Sequence, residues 1–328
     1  MKGVLLINTG SPKSNHPKDL KNFQEEILID PLVINPAHGI PEFTSEQSKG
    51  KQNDAAFHET SRRFLKKIQN STKIPVALVM HYGDPSIASG FQELEEKGVK
   101  EILVLPFYPQ YATSTVESVI RKVNEIKGAH FPTIDIEYIH TYYNRLEYID
   151  VMAESISKAV VNIDDTHVVF SYHGVPEHFS MERDFHKNQC TVDGVCCDSS
   201  SENHKPCYKK QCSDTTTIIA EKLDLKPDAY TTAFQSRLGL EPWLQPTTKQ
   251  VFEHLAKEGV KNITVVFPGF ATDCRDTKKT AILSKQIFNV DGKTCTVVPC
   301  LNDSDAWVEV VSRWIFRWRI TDFKTAIA

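Results

Sequence analysis

The sequence predicts an α/β protein made of two similar halves, each an open, mostly parallel sheet covered by helices. Three observations point there. Short runs of β-branched and aromatic residues alternate along the chain with stretches of helical period. The opening Val4-Leu5-Leu6-Ile7-Asn8-Thr9-Gly10-Ser11-Pro12 has the form of Val168-Val169-Phe170-Ser171-Tyr172-His173-Gly174-Val175-Pro176: an apolar run, a polar pair and Gly-x-Pro, with Thr9 in the place of His173. Finally, Lys97-Gly98-Val99-Lys100-Glu101-Ile102-Leu103-Val104-Leu105-Pro106 resembles the stretch Glu258 to Pro268, each a helix end, a Gly cap and a buried strand. Val168 follows Val4 by 164 residues and Glu258 follows Lys97 by 161, so one duplication accounts for both matches.

Taken in order, the first half opens with the strand Val4 to Ile7. Lys18 to Leu28 is helical in period and stops at Ile29-Asp30-Pro31. Pro36 to Asn53, polar and rich in Pro, Gly and Ser, reads as an irregular lip. Glu59 to Gln69 is a helix, Val76 to Gly83 a strand and turn, Ser86 to Lys97 an amphipathic helix, and 102–106 a strand. Pro106 to Thr115, aromatic and polar with two prolines, fits a loop lining a flat apolar ligand. A helix over Thr113 to Lys127 and a strand over Ile134 to Ile139 complete the half. The second half runs as helix Tyr148 to Val161, the His173 strand, a cysteine-rich segment and helix Thr215 to Leu223. Strand Ala229 to Phe234, helix Thr247 to Glu258, strand Ile263 to Phe267 and strand Cys295 to Pro299 follow. Ala306 to Ile320 is a terminal helix with three of the four tryptophans, expected to dock on the first half. The predicted division is 1–143 plus 303–328 for the first domain and 144–302 for the second, with a cysteine-rich insert at 188–212.

Composition narrows the function. With 328 residues, two domains of roughly 150 residues are the prior. A net charge of −4 gives no electrostatic reason to expect nucleic acid. No apolar run is long enough to span a membrane, and the N-terminus lacks the features of a signal peptide, so a cytoplasmic protein is expected. There the eight cysteines are reduced thiols or metal ligands rather than a disulfide framework. Five of them, Cys190, Cys196, Cys197, Cys207 and Cys212, cluster among polar residues that could not bury them as core. Four thiolates suit an iron–sulfur centre or a structural zinc. Cys274, Cys295 and Cys300 read as small core residues. Trp307, Trp314 and Trp318 read as packing first, with a weak peripheral membrane contact second.

The candidate chemistry gathers at strand ends, where open α/β sheets bind ligands. Four turns lead to one edge: Thr9-Gly10, His81-Tyr82-Gly83, His173-Gly174 and Phe270 through Asp276. Here the chain resembles the ferrochelatases, which insert ferrous iron into a porphyrin to make haem. The resemblance is carried by Asn8-x-Gly10-x-Pro12, Tyr108-Pro109-Gln110-Tyr111 with Ser114-Thr115, and Ser171-Tyr172-His173-Gly174-Val175-Pro176. Phe234-Gln235-Ser236-Arg237, Glu241-Pro242-Trp243-Leu244 and Pro268-Gly269-Phe270-x-x-Asp273 complete it, in the family's order over nearly the whole chain. It implies two similar Rossmann-like domains with the active site in the cleft between them. It also implies porphyrin and Fe2+ as substrates, and no organic cofactor. Metallation removes two pyrrole protons while delivering the metal, so a near-neutral His with a carboxylate beside it is suited to the work. By resemblance His173 is the central base or iron ligand, Asp276 its carboxylate partner and Asp273 a supporting acid. Asn8, His81, Tyr82, Tyr108, Tyr111, Ser114, Tyr172 and Trp243 would contact the macrocycle, the aromatic ones supplying area for a flat apolar disc.

The chain also departs from the family pattern. Asp276 stands where a glutamate is usual, Lys278-Lys279-Thr280 replaces an acidic helix face, and His81 replaces an arginine that the imidazole is expected partly to stand in for. Some ferrochelatases carry internal cysteine inserts holding a 2Fe–2S cluster, and by that resemblance four of the five clustered cysteines would hold one here, with zinc as the alternative. Two rival functions are a chelatase for another metal or ring, such as cobalt into a sirohydrochlorin-like tetrapyrrole, and a porphyrin- or haem-binding sensor without turnover.

Overall fold

The structure, a computed structural model, describes residues 1–14, 16–33, 55–177, 179, 207–237, 241–290 and 292–321. The lip expected at 36–53, and Cys190, Cys196 and Cys197, lie outside the described residues. In chain order the elements are β1 (Lys2–Asn8), α1 (Pro17–Leu28), α2 (Ala55–Thr72), β2 (Val76–Met80), α3 (Ile87–Glu96) and β3 (Glu101–Pro106). A π turn (Thr113–Glu117) then runs into α4 (Ser118–His130), followed by β4 (Asp135–Tyr138), α5 (Leu146–Ala159) and β5 (His167–His173). Next come α6 (Tyr208–Lys222), β6 (Tyr230–Gln235), α7 (Thr248–Lys257), β7 (Asn262–Val266), α8 (Arg275–Phe288), β8 (Thr294–Val297) and α9 (Asp305–Ile320). The chain divides into two compact units. Met1–Tyr108, Thr113–Thr141 and Asn302–Ala328 form one; Pro109–Ala112 and Tyr142–Leu301 form the other.

The first unit is built on a parallel sheet of order β2-β1-β3-β4. β1 and β3 are central, which is why their sequences are continuous apolar runs rather than alternating ones. Leu5, Ile7, Val79 and Val104 meet Phe91 and Leu94 of α3 and Val119 and Val123 of α4 in one core. α9 belongs to this unit and is tied down at both ends. Lys2 Nζ reaches the Thr321 carbonyl at 2.8 Å, and Arg63 of α2 bonds Asp303 at 2.9 Å. Trp307, Trp314 and Trp318 are all buried, so the indoles pack and offer nothing to a membrane surface; the exposed apolar residues of α9 are Phe316 and Ile320. Among the described residues no helix is long and apolar enough to cross a membrane.

The second unit repeats the plan, with order β6-β5-β7-β8, all parallel. Its core joins Val169, Ile263 and Val265 to Val251, Phe252 and Leu255 of α7 and Phe288 of α8. The matched sequence blocks fold alike in detail. α3 and α7 each end in a left-handed glycine, Gly98 (φ 76°) and Gly259 (φ 81°). The next amide then bonds back to the last turn, Val99 N to the Leu94 carbonyl and Val260 N to the Leu255 carbonyl. Boundaries differ from the sequence reading, with Tyr142 and Tyr143 in the second unit and Asn302 in the first. Pro109–Ala112 packs with the second unit because Gln110 donates to Thr215 Oγ1 (3.1 Å) and the Tyr111 amide donates to Gln211 Oε1 (2.7 Å). α6 starts at Tyr208 rather than near Thr215, so the insert stops at Cys207, the N-cap residue.

Candidate active site

In the second unit β5 ends at His173. Gly174 follows because a side chain there would meet the Gln235 carbonyl oxygen at 2.8 Å and the Trp243 ring at 3.2 Å. Tyr208, at the start of α6, donates its hydroxyl to the His173 carbonyl (2.8 Å) and fixes the strand end. The imidazole is half-buried. Its Nδ1 lies 2.6 Å from the Gly174 carbonyl, which can only accept, so Nδ1 carries the proton and Nε2 presents its lone pair. Asp276, in the first turn of α8, holds Oδ2 3.8 Å from that Nε2, with the two side chains 40% and 36% exposed. The ring of Trp243 lies 6.4 Å from His173 on one side and that of Phe270 6.2 Å on another. Trp243 is held by a short antiparallel ribbon in which Leu244 N bonds the Val175 carbonyl and Glu177 N the Pro242 carbonyl. A base with a directed lone pair, a carboxylate and two flat apolar faces meet here: the groups needed to take a proton and hold a cation beside an aromatic ring.

Other residues expected at this edge sit elsewhere. Tyr172 is fully buried, and its hydroxyl meets Thr216 of α6 at 3.0 Å. Strand alternation sends it to the face opposite His173, so it is core and not a macrocycle wall. Asp273 accepts from the Cys300 amide at 3.1 Å, which braces the turn before α8. Tyr111 is half-buried beside Gln211.

The strand ends of the first unit carry an inward-looking network. His81 is 1% exposed and stacks on Tyr82 at 3.9 Å. Asp30 accepts from the hydroxyls of Tyr82 (2.9 Å) and Ser118 and from the Leu32 amide (2.9 Å). The Ser118 proton is given to Asp30, so its oxygen takes a proton from His81 Nε2 at 2.9 Å, and Tyr108 donates to Nδ1 over a long 3.4 Å. Lys122 donates to the His81 carbonyl and lies 5.3 Å from the Tyr82 ring centre. Burial, helped by the Lys122 charge, pushes the His81 imidazole down to about 3 against the pull of Asp30. Burial alone would raise the Asp30 carboxyl, but its hydrogen bonds outweigh burial and hold it below its ordinary value. Burial and the Asp30 charge push the Tyr82 phenol far up. His81 is therefore neutral and enclosed, and cannot replace an arginine as a cation for the substrate. Tyr82 and Asn8 are likewise buried, Asn8 accepting from the Thr9 amide; Tyr108 and Ser114 keep partial exposure. Sequence reasoning passed over Asp30, Ser118, Lys122 and Tyr208. Asp30 carried only the signal of a helix stop, and the pairing of distant chain segments left no local trace.

Of the clustered cysteines, Cys207 is half-buried at the head of α6. Cys212 is fully buried one turn further on, close enough to the Tyr208 and Tyr172 hydroxyls to raise both phenols after burial has done so. It packs in the core beneath α6. Cys300 is buried, and Cys295 is half-buried with its thiol 3.2 Å from Ser284 Oγ. On α8, burial and the neighbouring Arg275 push the Lys279 amine down, while Asp276 works the other way.

The fold is shared with a solved structure of SirB from Bacillus subtilis with Fe3+, at a TM-score of 0.58 and 12% identity, covering 96% of this chain and 94% of that one. Ferrochelatase of Opitutus terrae is 32% identical, over 97% of each chain. That of Bdellovibrio bacteriovorus is 33% identical, over 94% of this chain and 96% of its own. The Ferrochelatase family model matches residues 1–317, and with these relatives it shows that the chain belongs to the ferrochelatase family.

Proposed function

We propose that the chain is a lyase of haem synthesis that inserts Fe2+ into protoporphyrin IX, or into coproporphyrin, at the His173–Asp276 pair. One observation carries this reading: His173 Nε2 has its lone pair free of the Gly174 bond and lies 3.8 Å from a carboxylate. In metallation the imidazole takes one pyrrole proton at Nε2 and the second leaves to solvent water, while Asp276 offsets the charge that results on the imidazole or holds the entering metal. Trp243 and Phe270 supply flat contact to the macrocycle. The test is an anaerobic assay of the pure protein with Fe2+ and each porphyrin. Loss of porphyrin fluorescence with growth of a haem Soret band supports the reading. Tight porphyrin binding without metallation favours a sensor, and turnover with cobalt alone favours a different chelatase.

For the cysteine insert we propose a 2Fe–2S cluster held by Cys190, Cys196, Cys197 and Cys207. The burial of Cys212 within α6, against the partial exposure of Cys207 at its head, supports leaving Cys212 out. Such a cluster, if held by these thiolates, would supply a redox-sensitive crosslink of the insert and would take no part in proton removal at His173. Iron, sulfide and zinc analysis separates the possibilities: two irons and two sulfides per chain, kept in Cys212→Ala and lost in Cys207→Ala, is the expected result, and one zinc per chain contradicts it. The thiols of Cys295 and Cys300 suit a cytoplasmic setting.

A further inference from the structure

The peptide that joins His173 to Gly174 is pinned at both of its polar groups. Tyr208 donates its hydroxyl to the His173 carbonyl at 2.8 Å, and the Gly174 amide donates to the Gln235 carbonyl at 2.7 Å. The next carbonyl along, that of Gly174, is the acceptor for His173 Nδ1 at 2.6 Å. A glycine has no side chain to limit its rotation, so the direction of that carbonyl depends on how the preceding peptide is held. The tautomer that leaves Nε2 open toward Asp276 is therefore set from the backbone. Tyr208 is buried, and its single hydroxyl proton goes to the His173 carbonyl, so its oxygen can only accept from a further partner. Cys212, one turn along α6 on the same face, has its thiol within hydrogen-bond reach of that oxygen. The thiol is fully buried, and neither proton removal nor the proposed cluster uses it.

We propose that Tyr208 is a positioning residue for iron insertion, with Cys212 as its support. The thiol donates to the phenol oxygen, the phenol donates to the His173 carbonyl, and the fixed peptide keeps the imidazole proton on Nδ1. The role in insertion rests on the chelatase reading; the hold on the tautomer does not. Neither residue touches substrate or takes a proton from it. Without the phenol hydroxyl the His173 carbonyl loses its donor and the peptide turns to find another. The Gly174 carbonyl turns with it, and the imidazole proton then divides between the two ring nitrogens.

The test reads the tautomer directly. With nitrogen-15 in the histidines, long-range proton–nitrogen spectra at alkaline pH show which ring nitrogen of His173 carries the proton, with no porphyrin or iron present. His173→Gln identifies the signal by its loss. The parent chain should carry the proton on Nδ1, and Tyr208→Phe, which keeps the ring, should show a mixture. Insertion per folded molecule should fall about 10-fold in Tyr208→Phe, the worth of one hydrogen bond, with KM for porphyrin within about two-fold of the parent. Cys212→Ala should slow insertion by about 3-fold, and Cys212→Ser, which restores a donor, should recover it. A proton that stays on Nδ1 in Tyr208→Phe, or an unchanged rate, overturns the proposal whatever happens to the thermal midpoint. So does a parent chain with its proton on Nε2. Cys212→Ser as slow as Cys212→Ala removes the thiol from the arrangement. A parent chain that inserts no iron overturns the chelatase reading, a failure the tautomer measurement keeps separate because it needs no substrate.

Discussion

The two units share a sheet order and a helix-capping scheme, yet their strand ends have opposite characters. At the first, buried His81, Tyr82 and Ser118 and the partly buried Asp30 are bonded to one another. At the second, His173 and Asp276 stand side by side, each more than a third exposed and 3.8 Å apart. The same backbone plan thus encloses its polar side chains in one copy and presents them to solvent in the other. The difference traces to single positions: exposed Thr9 occupies the place of His173, and the imidazole of the first unit is drawn inward by Ser118.

The contrast can be broken most sharply at the second unit. His173→Ala should slow metallation about 100- to 10,000-fold, the usual share of a positioned base, with the thermal midpoint little changed; single-turnover absorbance reads it. Asp276→Asn keeps shape and removes charge, and should cost about 10- to 100-fold in rate. At the first unit the cost falls on stability instead. Asp30→Asn leaves the hydroxyls of Ser118 and Tyr82 facing a neutral amide and should destabilise the fold by about 2–4 kcal/mol, measured by urea unfolding.

The pH dependence of folding sharpens the comparison further. His81 stays neutral down to about 3 when folded, whereas an unfolded histidine takes its proton near 6.5. Between those values the unfolded chain binds the extra proton, so stability is intact above about pH 6.5 and falls as pH drops toward 3. The slope approaches about 1.4 kcal/mol per pH unit. His81→Gln should remove that slope. Asp30, held below its ordinary value of 3.8, adds a loss that begins as pH falls through that value and continues until the folded carboxyl takes its proton. The smallest effect is expected at the exposed Arg63–Asp303 pair, where Asp303→Asn should cost under about 1 kcal/mol in the same unfolding assay.

Much of the architecture was legible in the sequence because central parallel strands are written as apolar runs. Val4 to Ile7 and Val168 to Phe170 announced themselves, and the Gly98 and Gly259 caps marked the ends of their helices. His173 and Asp276 were legible through family resemblance, and their contact required the fold. What was not legible depends on direction and distance. Tyr172 sits beside His173 in sequence, yet strand alternation turns it into the core. By sequence His81 is a polar substitute for a cation; in the fold it bonds Ser118, 37 positions away, which in turn bonds Asp30, 51 positions away. Cys212 belongs by composition with the insert, because composition does not show that α6 has already begun at Tyr208.

The account's central claim is that the chemistry belongs to the second unit's histidine and the packing to the first unit's. One paired measurement addresses it directly: the rate of Fe2+ insertion per folded molecule in His173→Gln and in His81→Gln. The account predicts that His173→Gln folds like the parent and loses insertion by a factor of about 100 or more, while His81→Gln unfolds more easily but inserts iron within a few-fold of the parent. Full activity in His173→Gln, or a stable His81→Gln that has lost insertion, would contradict it.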